Sequence, residues 1–252
     1  MEKMILNPVE RLIVAADFKP NLEKGEGRTW VRRQVLDFAT KLSGVGVYLK
    51  INSALRACGY DLIKDLHDAG IRVFADLKLD DIPETLSIDG ALLYEVKPEL
   101  LTVKCSAGFK SLQALKAALP ETEVLGVTTL TSLTDVDSYA LFRRSVQDSV
   151  MAFAQVAAEA RIDGLISSPK EVEELRQKFG DRLSLNTPGI RPTWHIQAGD
   201  QNPERIMTPA KAIKAGADRI VVGRPITQAA DPVQAVMWTL DEIDAAMQPI
   251  KL

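Results

Sequence analysis

Val73-Phe74-Ala75-Asp76-Leu77-Lys78-Leu79-Asp80-Asp81-Ile82-Pro83-Glu84-Thr85 holds one repeat unit of the fold. It opens as an apolar strand and ends in charge. A helix follows, with Glu84 in a first turn that favours a carboxylate. The same passage from apolar strand to helix recurs along the chain. Strands are expected at Leu12–Asp17, Val45–Ile51, Ile71–Lys78, Leu100–Cys105, Glu123–Leu130, Gly164–Ser168, Leu183–Ile190 and Arg219–Gly223. Most are too apolar to face water on one side, as in a parallel sheet covered on both faces. Helices are expected over Thr29–Leu42, Leu55–Ala69, Thr85–Val96, Ser111–Leu119, Tyr139–Arg161, Pro169–Phe179, Pro209–Ala215 and Pro232–Met247. Strand and helix alternating through the whole chain predict an α/β fold, a single (β/α)8 TIM barrel. An open doubly wound sheet is the alternative, and it leaves the last strand-helix unit hard to place.

Composition narrows the function classes. The chain has 252 residues, a usual length for one barrel, and no Gly- or Pro-rich linker divides it. One domain spanning 1–252 is expected. The net charge of −3 gives no reason to expect nucleic acid or an anionic membrane as partner. No apolar run is long enough to span a bilayer, and the first residues lack a signal peptide's apolar stretch. The two cysteines, Cys58 and Cys105, have no metal-ligand spacing and suggest a reducing cytoplasm. His67 and His195 sit in no ligand motif.

Charge collects where strands end. Asp17, Lys50, and the pair Asp76 and Lys78 close the first three strands, with Asp81 just beyond. In a strand Asp76 and Lys78 share a face. Barrel strands all end at one mouth, so these groups converge there. Desolvating charges costs more than most pairings return, so such crowding suits a site better than a scaffold. Val222-Gly223-Arg224-Pro225 follows the last strand, where barrels often bind phosphate. Gly223 permits close backbone approach to an oxyanion, and Arg224 offers a planar fork. Pro188-Gly189-Ile190-Arg191-Pro192 brings a second arginine to the same side, ahead of a long connection holding Gly199, Asp200 and Gln201.

Taken in order, these segments resemble the orotidine 5′-phosphate decarboxylase family. Asp76-Leu77-Lys78-Leu79-Asp80-Asp81-Ile82-Pro83-Glu84-Thr85 is similar to its Asp-x-Lys-x-x-Asp-Ile-Pro-x-Thr signature. Val14-Ala15-Ala16-Asp17, Tyr48-Leu49-Lys50-Ile51, Thr129-Leu130-Thr131-Ser132, the Pro188 and Val222 segments and Gly199-Asp200-Gln201 also fit. The resemblance implies cofactor-free decarboxylation of orotidine 5′-monophosphate, with Lys78 as proton donor to C6. It implies that Lys50, Asp76 and Asp81 complete a charged network, Asp81 reaching into the neighbouring subunit of a homodimer. It implies that Asp17, Lys50 and Thr85 meet ribose hydroxyls and Thr131 the pyrimidine. Arg191, Gln201, Gly223 and Arg224 take the ribose side or the phosphate.

Lys104-Cys105-Ser106 stands where the family often has His-Ala-Ser, which touches the pocket's support rather than its chemistry. Two other readings stay open: a Mg2+-dependent sugar-phosphate lyase of the same superfamily, and a non-catalytic nucleotide-binding dimer.

Overall fold

A computed structural model describes residues 6–196 and 207–248. Eight parallel strands form a closed barrel in sequence order. They are β1 (Leu12–Ala15), β2 (Tyr48–Ile51), β3 (Arg72–Leu79), β4 (Leu100–Lys104), β5 (Glu123–Val127), β6 (Gly164–Ile166), β7 (Ser184–Thr187) and β8 (Arg219–Val222). β1 pairs with both β2 and β8, so no sheet edge is left open.

Alternation along each strand makes two apolar layers. Ile13, Ala15, Tyr48, Phe74, Leu100, Leu125 and Val221 fill the barrel interior. Their strand neighbours Leu12, Val14, Leu49, Val73, Leu101, Val124 and Ile220 join the larger core packed under the helices. At the N-terminal end of the strands the interior is polar. Arg219 is 1% exposed, holds Glu123 through two hydrogen bonds of 2.9 and 2.8 Å, and lies over the Tyr48 ring. Burial disfavours its charge, but Glu123 outweighs that and holds its pKa above the usual value. The mouth at the other end is left for function.

The outer layer runs α1 (Arg28–Leu42), α2 (Ser53–Cys58), α3 (Asp61–Asp68), α4 (Pro83–Tyr94), α5 (Phe109–Ala118), α6 (Asp135–Phe142), α7 (Val146–Ala160), α8 (Val172–Phe179), α9 (Pro209–Lys214), α10 (Arg224–Thr227) and α11 (Pro232–Met247). Two expected helices are each broken in two. Leu55–Ala69 divides at Gly59, whose φ of 83° ends α2. Tyr139–Arg161 divides at Arg143, which is left-handed at φ 59°. Ser145 then caps α7 afresh, accepting the Asp148 backbone N–H. Most strands end earlier than expected, although β2 ends at Ile51 as expected and β3 runs one residue further, to Leu79. β5 stops at Val127 and β7 at Thr187, and the residues beyond them turn into mouth loops.

Candidate active site

The mouth is organised around Asp76. It projects from β3 and is 6% exposed. Four donors surround its carboxylate. Oδ1 accepts from Lys78 Nζ at 2.6 Å and from Thr102 Oγ1 at 2.9 Å. Oδ2 accepts from Asn52 Nδ2 at 3.3 Å and lies 3.2 Å from Lys50 Nζ. Lys50 Nζ also donates to Asp17 Oδ2 at 3.0 Å. Asp17, two residues beyond the end of β1, Lys50 of β2 and Asp76 and Lys78 of β3 therefore form one alternating chain. Burial pushes the Asp76 carboxyl upward. The Lys50 and Lys78 ammoniums and the hydrogen bonds from Lys78 and Thr102 together outweigh burial, so Asp76 stays ionised below the usual carboxylate range.

Lys78 reaches this position by an irregular route. Ala75 pairs with Leu101 of β4, but the next pairing is Leu79 with Val103. β3 thus carries two extra residues opposite Thr102, a bulge that breaks simple alternation. Lys78 is left-handed there, with φ 50°. That conformation is uncommon for a side chain without a short polar group to stabilise it. Its backbone N–H, which has lost its ladder position, donates to Thr102 Oγ1 at 2.9 Å.

Asp17, Lys50, Asp76, Lys78, Thr131 and Gly223 line a cavity of about 320 Å3. A wider cavity of about 700 Å3 adjoins it and shares Ala15, Asp17, Gly189, Val221 and Gly223. Arg191, His195 and Arg224 line this second space. A charged end and an arginine-lined end therefore meet at Gly223. Together they suit a ligand with a polar head and a phosphate-like tail.

Asp81 and Thr85 are not among the residues lining either space. Asp81 is exposed and accepts the Ile82 backbone N–H at 2.7 Å. Gln201, with Gly199 and Asp200, lies outside the described residues. Lys104 approaches Asp80 at 3.9 Å rather than the Asp76 cluster. Burial pushes the Cys105 thiol up to about 12, so it is a packing group and no nucleophile. Two residues at the centre, Thr102 and Asn52, are absent from the sequence-derived set. Counting by twos from Leu100 along the barrel interior reaches Thr102; nothing in the sequence pattern marks Asn52.

The comparisons with known proteins cover nearly the whole chain. Residues 10–237 match the model of the "Orotidine 5'-phosphate decarboxylase / HUMPS family". An orotidine 5′-phosphate decarboxylase of Rhodopseudomonas palustris is 40% identical over 96% of this chain and 99% of its own. One from Saccharophagus degradans is 35% identical over 95% and 96%. The crystal structure of orotidine 5′-phosphate decarboxylase from Lactobacillus acidophilus superposes with a TM-score of 0.78 at 30% identity, covering 93% of this chain and 99% of that one. A family model matched over residues 10–237 and a relative 40% identical nearly end to end make this chain a member of the orotidine 5′-phosphate decarboxylase / HUMPS family.

Proposed function

We propose that this chain, acting as one barrel domain, decarboxylates orotidine 5′-monophosphate to uridine 5′-monophosphate and CO2 without a cofactor, and that Lys78 protonates C6. The observation that carries the proposal is the alternating Asp17, Lys50, Asp76 and Lys78 chain opening onto an arginine-lined cavity.

The C6–carboxylate bond breaks, CO2 leaves, and the electron pair stays on C6. No ring position delocalises that pair, so the charge must be met electrostatically. The Lys78 ammonium faces it and then transfers a proton from Nζ, forming the C–H bond of the product. Lys78 regains its proton from solvent. At about 4 Å and an effective dielectric near 20, one such pair is worth roughly 4 kcal/mol before desolvation. That is too little alone, so binding energy from the phosphate end must help position the ring. Asp76 holds the Lys78 ammonium in place through the 2.6 Å hydrogen bond. Asp17 and Lys50 hold ribose hydroxyls and Thr131 the pyrimidine, while Arg191, Gln201, Gly223 and Arg224 take the ribose side and phosphate.

The partner in this reading is a second copy of the chain. Asp81 and Thr85 lie beside an exposed apolar strip: Ile82 is 63% exposed, and Ile88 and Leu92 on α4 are 54% and 50% exposed. A monomer rarely leaves such a patch uncovered. Covering it with a twin subunit brings Asp81 and Thr85 to the neighbouring mouth. The expected compartment is the cytoplasm, whose reducing conditions suit the free Cys58 and Cys105.

The ultraviolet assay on orotidine 5′-monophosphate, with a metal chelator present, tests the activity. Turnover should persist. Loss on chelation would favour a Mg2+-dependent sugar-phosphate lyase, although Asp17 and Asp76 both already face the Lys50 ammonium. Lys78→Ala should remove turnover by several orders of magnitude while uridine 5′-monophosphate still binds. Binding without any wild-type turnover would mark a nucleotide-binding protein instead.

A further inference from the structure

We infer that Thr102 is a positioning residue for the reaction, one hydroxyl that fixes the Lys78 backbone and the Asp76 carboxylate together. The inference rests on the decarboxylase reading above. Thr102 is fully buried on β4, opposite the two extra residues of β3. Its Oγ1 accepts the Lys78 N–H at 2.9 Å and donates to Asp76 Oδ1 at 2.9 Å. That is the hydroxyl's donor hydrogen plus one acceptor site, both spent on the two site residues of β3.

The geometry explains why a hydroxyl is needed. A bulge removes Lys78 from the regular ladder, and a buried N–H without a partner is destabilising. Lys78 is also left-handed at φ 50°, a conformation that persists only when its surroundings enforce it. Thr102 supplies the missing acceptor at that point. The same oxygen gives its proton to Asp76, which in turn receives Lys78 Nζ at 2.6 Å. Main chain and ammonium of one lysine are thus tied to one side chain, by two routes. Catalysis depends on sub-ångström placement of such a group.

Thr102→Val keeps the shape and removes the hydroxyl; Thr102→Ser keeps the hydroxyl. The wild type and both variants are assayed on orotidine 5′-monophosphate, with melting temperature and uridine 5′-monophosphate affinity measured in parallel. Thr102→Val should lower kcat by about 10- to 100-fold, the rate equivalent of a buried hydrogen bond. KM and product affinity should change by less than about threefold, because substrate binding is not the function lost. Thr102→Ser should restore most of kcat. An unchanged kcat in Thr102→Val overturns the inference. So does loss of kcat, product affinity and melting temperature together with no rescue by serine, which would mark Thr102 as core filling. A wild type that does not turn over the substrate fails the decarboxylase reading itself and takes this inference with it.

Discussion

Asp76 is the residue on which the mouth depends. A buried carboxylate is unfavourable unless its oxygens are satisfied and opposed by positive charge. Lys50, Lys78, Asn52 and Thr102 meet both needs. Its pKa lies below the usual range, so its protonation is linked to unfolding. A depressed carboxyl contributes stability above its unfolded pKa of about 3.9, and that contribution is lost as pH falls through the folded value. The resistance of the wild type to urea should therefore fall as pH is lowered from 5 toward 3. Asp76→Asn should show a shallower dependence over that interval, and parallel curves would contradict the linkage. The types Asp-x-Lys and their strand-end position were legible from the sequence. The left-handed Lys78 was not, because lysine carries no local preference for that conformation. It is imposed by pairing with β4.

At the scale of elements, most strands and helices follow from periodicity. The misplaced boundaries have local causes. The helical pattern runs straight through Gly59, and Arg143 gives no warning because an arginine seldom turns left-handed. Close approach between strands leaves a sharper mark. A Cβ placed on Gly164 of β6 would lie 2.6 Å from the Ser184 carbonyl oxygen of β7 and 2.9 Å from Leu125 Cδ2. Backbone cannot yield as a side chain can. Gly164→Ala should therefore destabilise the barrel by about 1–3 kcal/mol through overpacking. Equilibrium denaturation measures this, and a stability change near zero would show that β6 and β7 can separate at little cost. Sequence alone shows a glycine opening a strand, which reads equally as a turn remnant.

The whole molecule separates stability from function along the barrel axis. One end is closed by Glu123 and by Arg219, which lies over the Tyr48 ring, at the N-terminal ends of the strands. The other end gathers the strand termini. Around its rim, α4 exposes Ile88 and Leu92, and α6 exposes Val136, Tyr139 and Leu141. If a twin subunit covers α4 and supplies Asp81, activity can be rebuilt from two inactive chains. Lys78→Ala and Asp81→Asn should each be nearly inactive alone. Mixed at equal amounts and allowed to exchange, they should recover about a quarter of wild-type activity, since half the dimers then hold one intact site. No recovery in verified hybrid dimers would place Asp81 in its own subunit's mouth.

The sequence by itself determined the barrel and the identity of the mouth's charges. Both are written locally, in apolar runs of strand length and in the residue type that ends each run. Asp17, Lys50, Asp76, Lys78, Gly223 and Arg224 were found that way, and all of them line the joined cavities. Only the tertiary structure decided how Lys78 is held. The β3 bulge, the left-handed backbone and the Thr102 hydroxyl arise from the register between β3 and β4. Register is a relation between strands brought together by closure of the barrel, and no single segment encodes it. The same holds for Arg219 and Glu123, which are far apart in the chain and meet because their strands face one another across the interior.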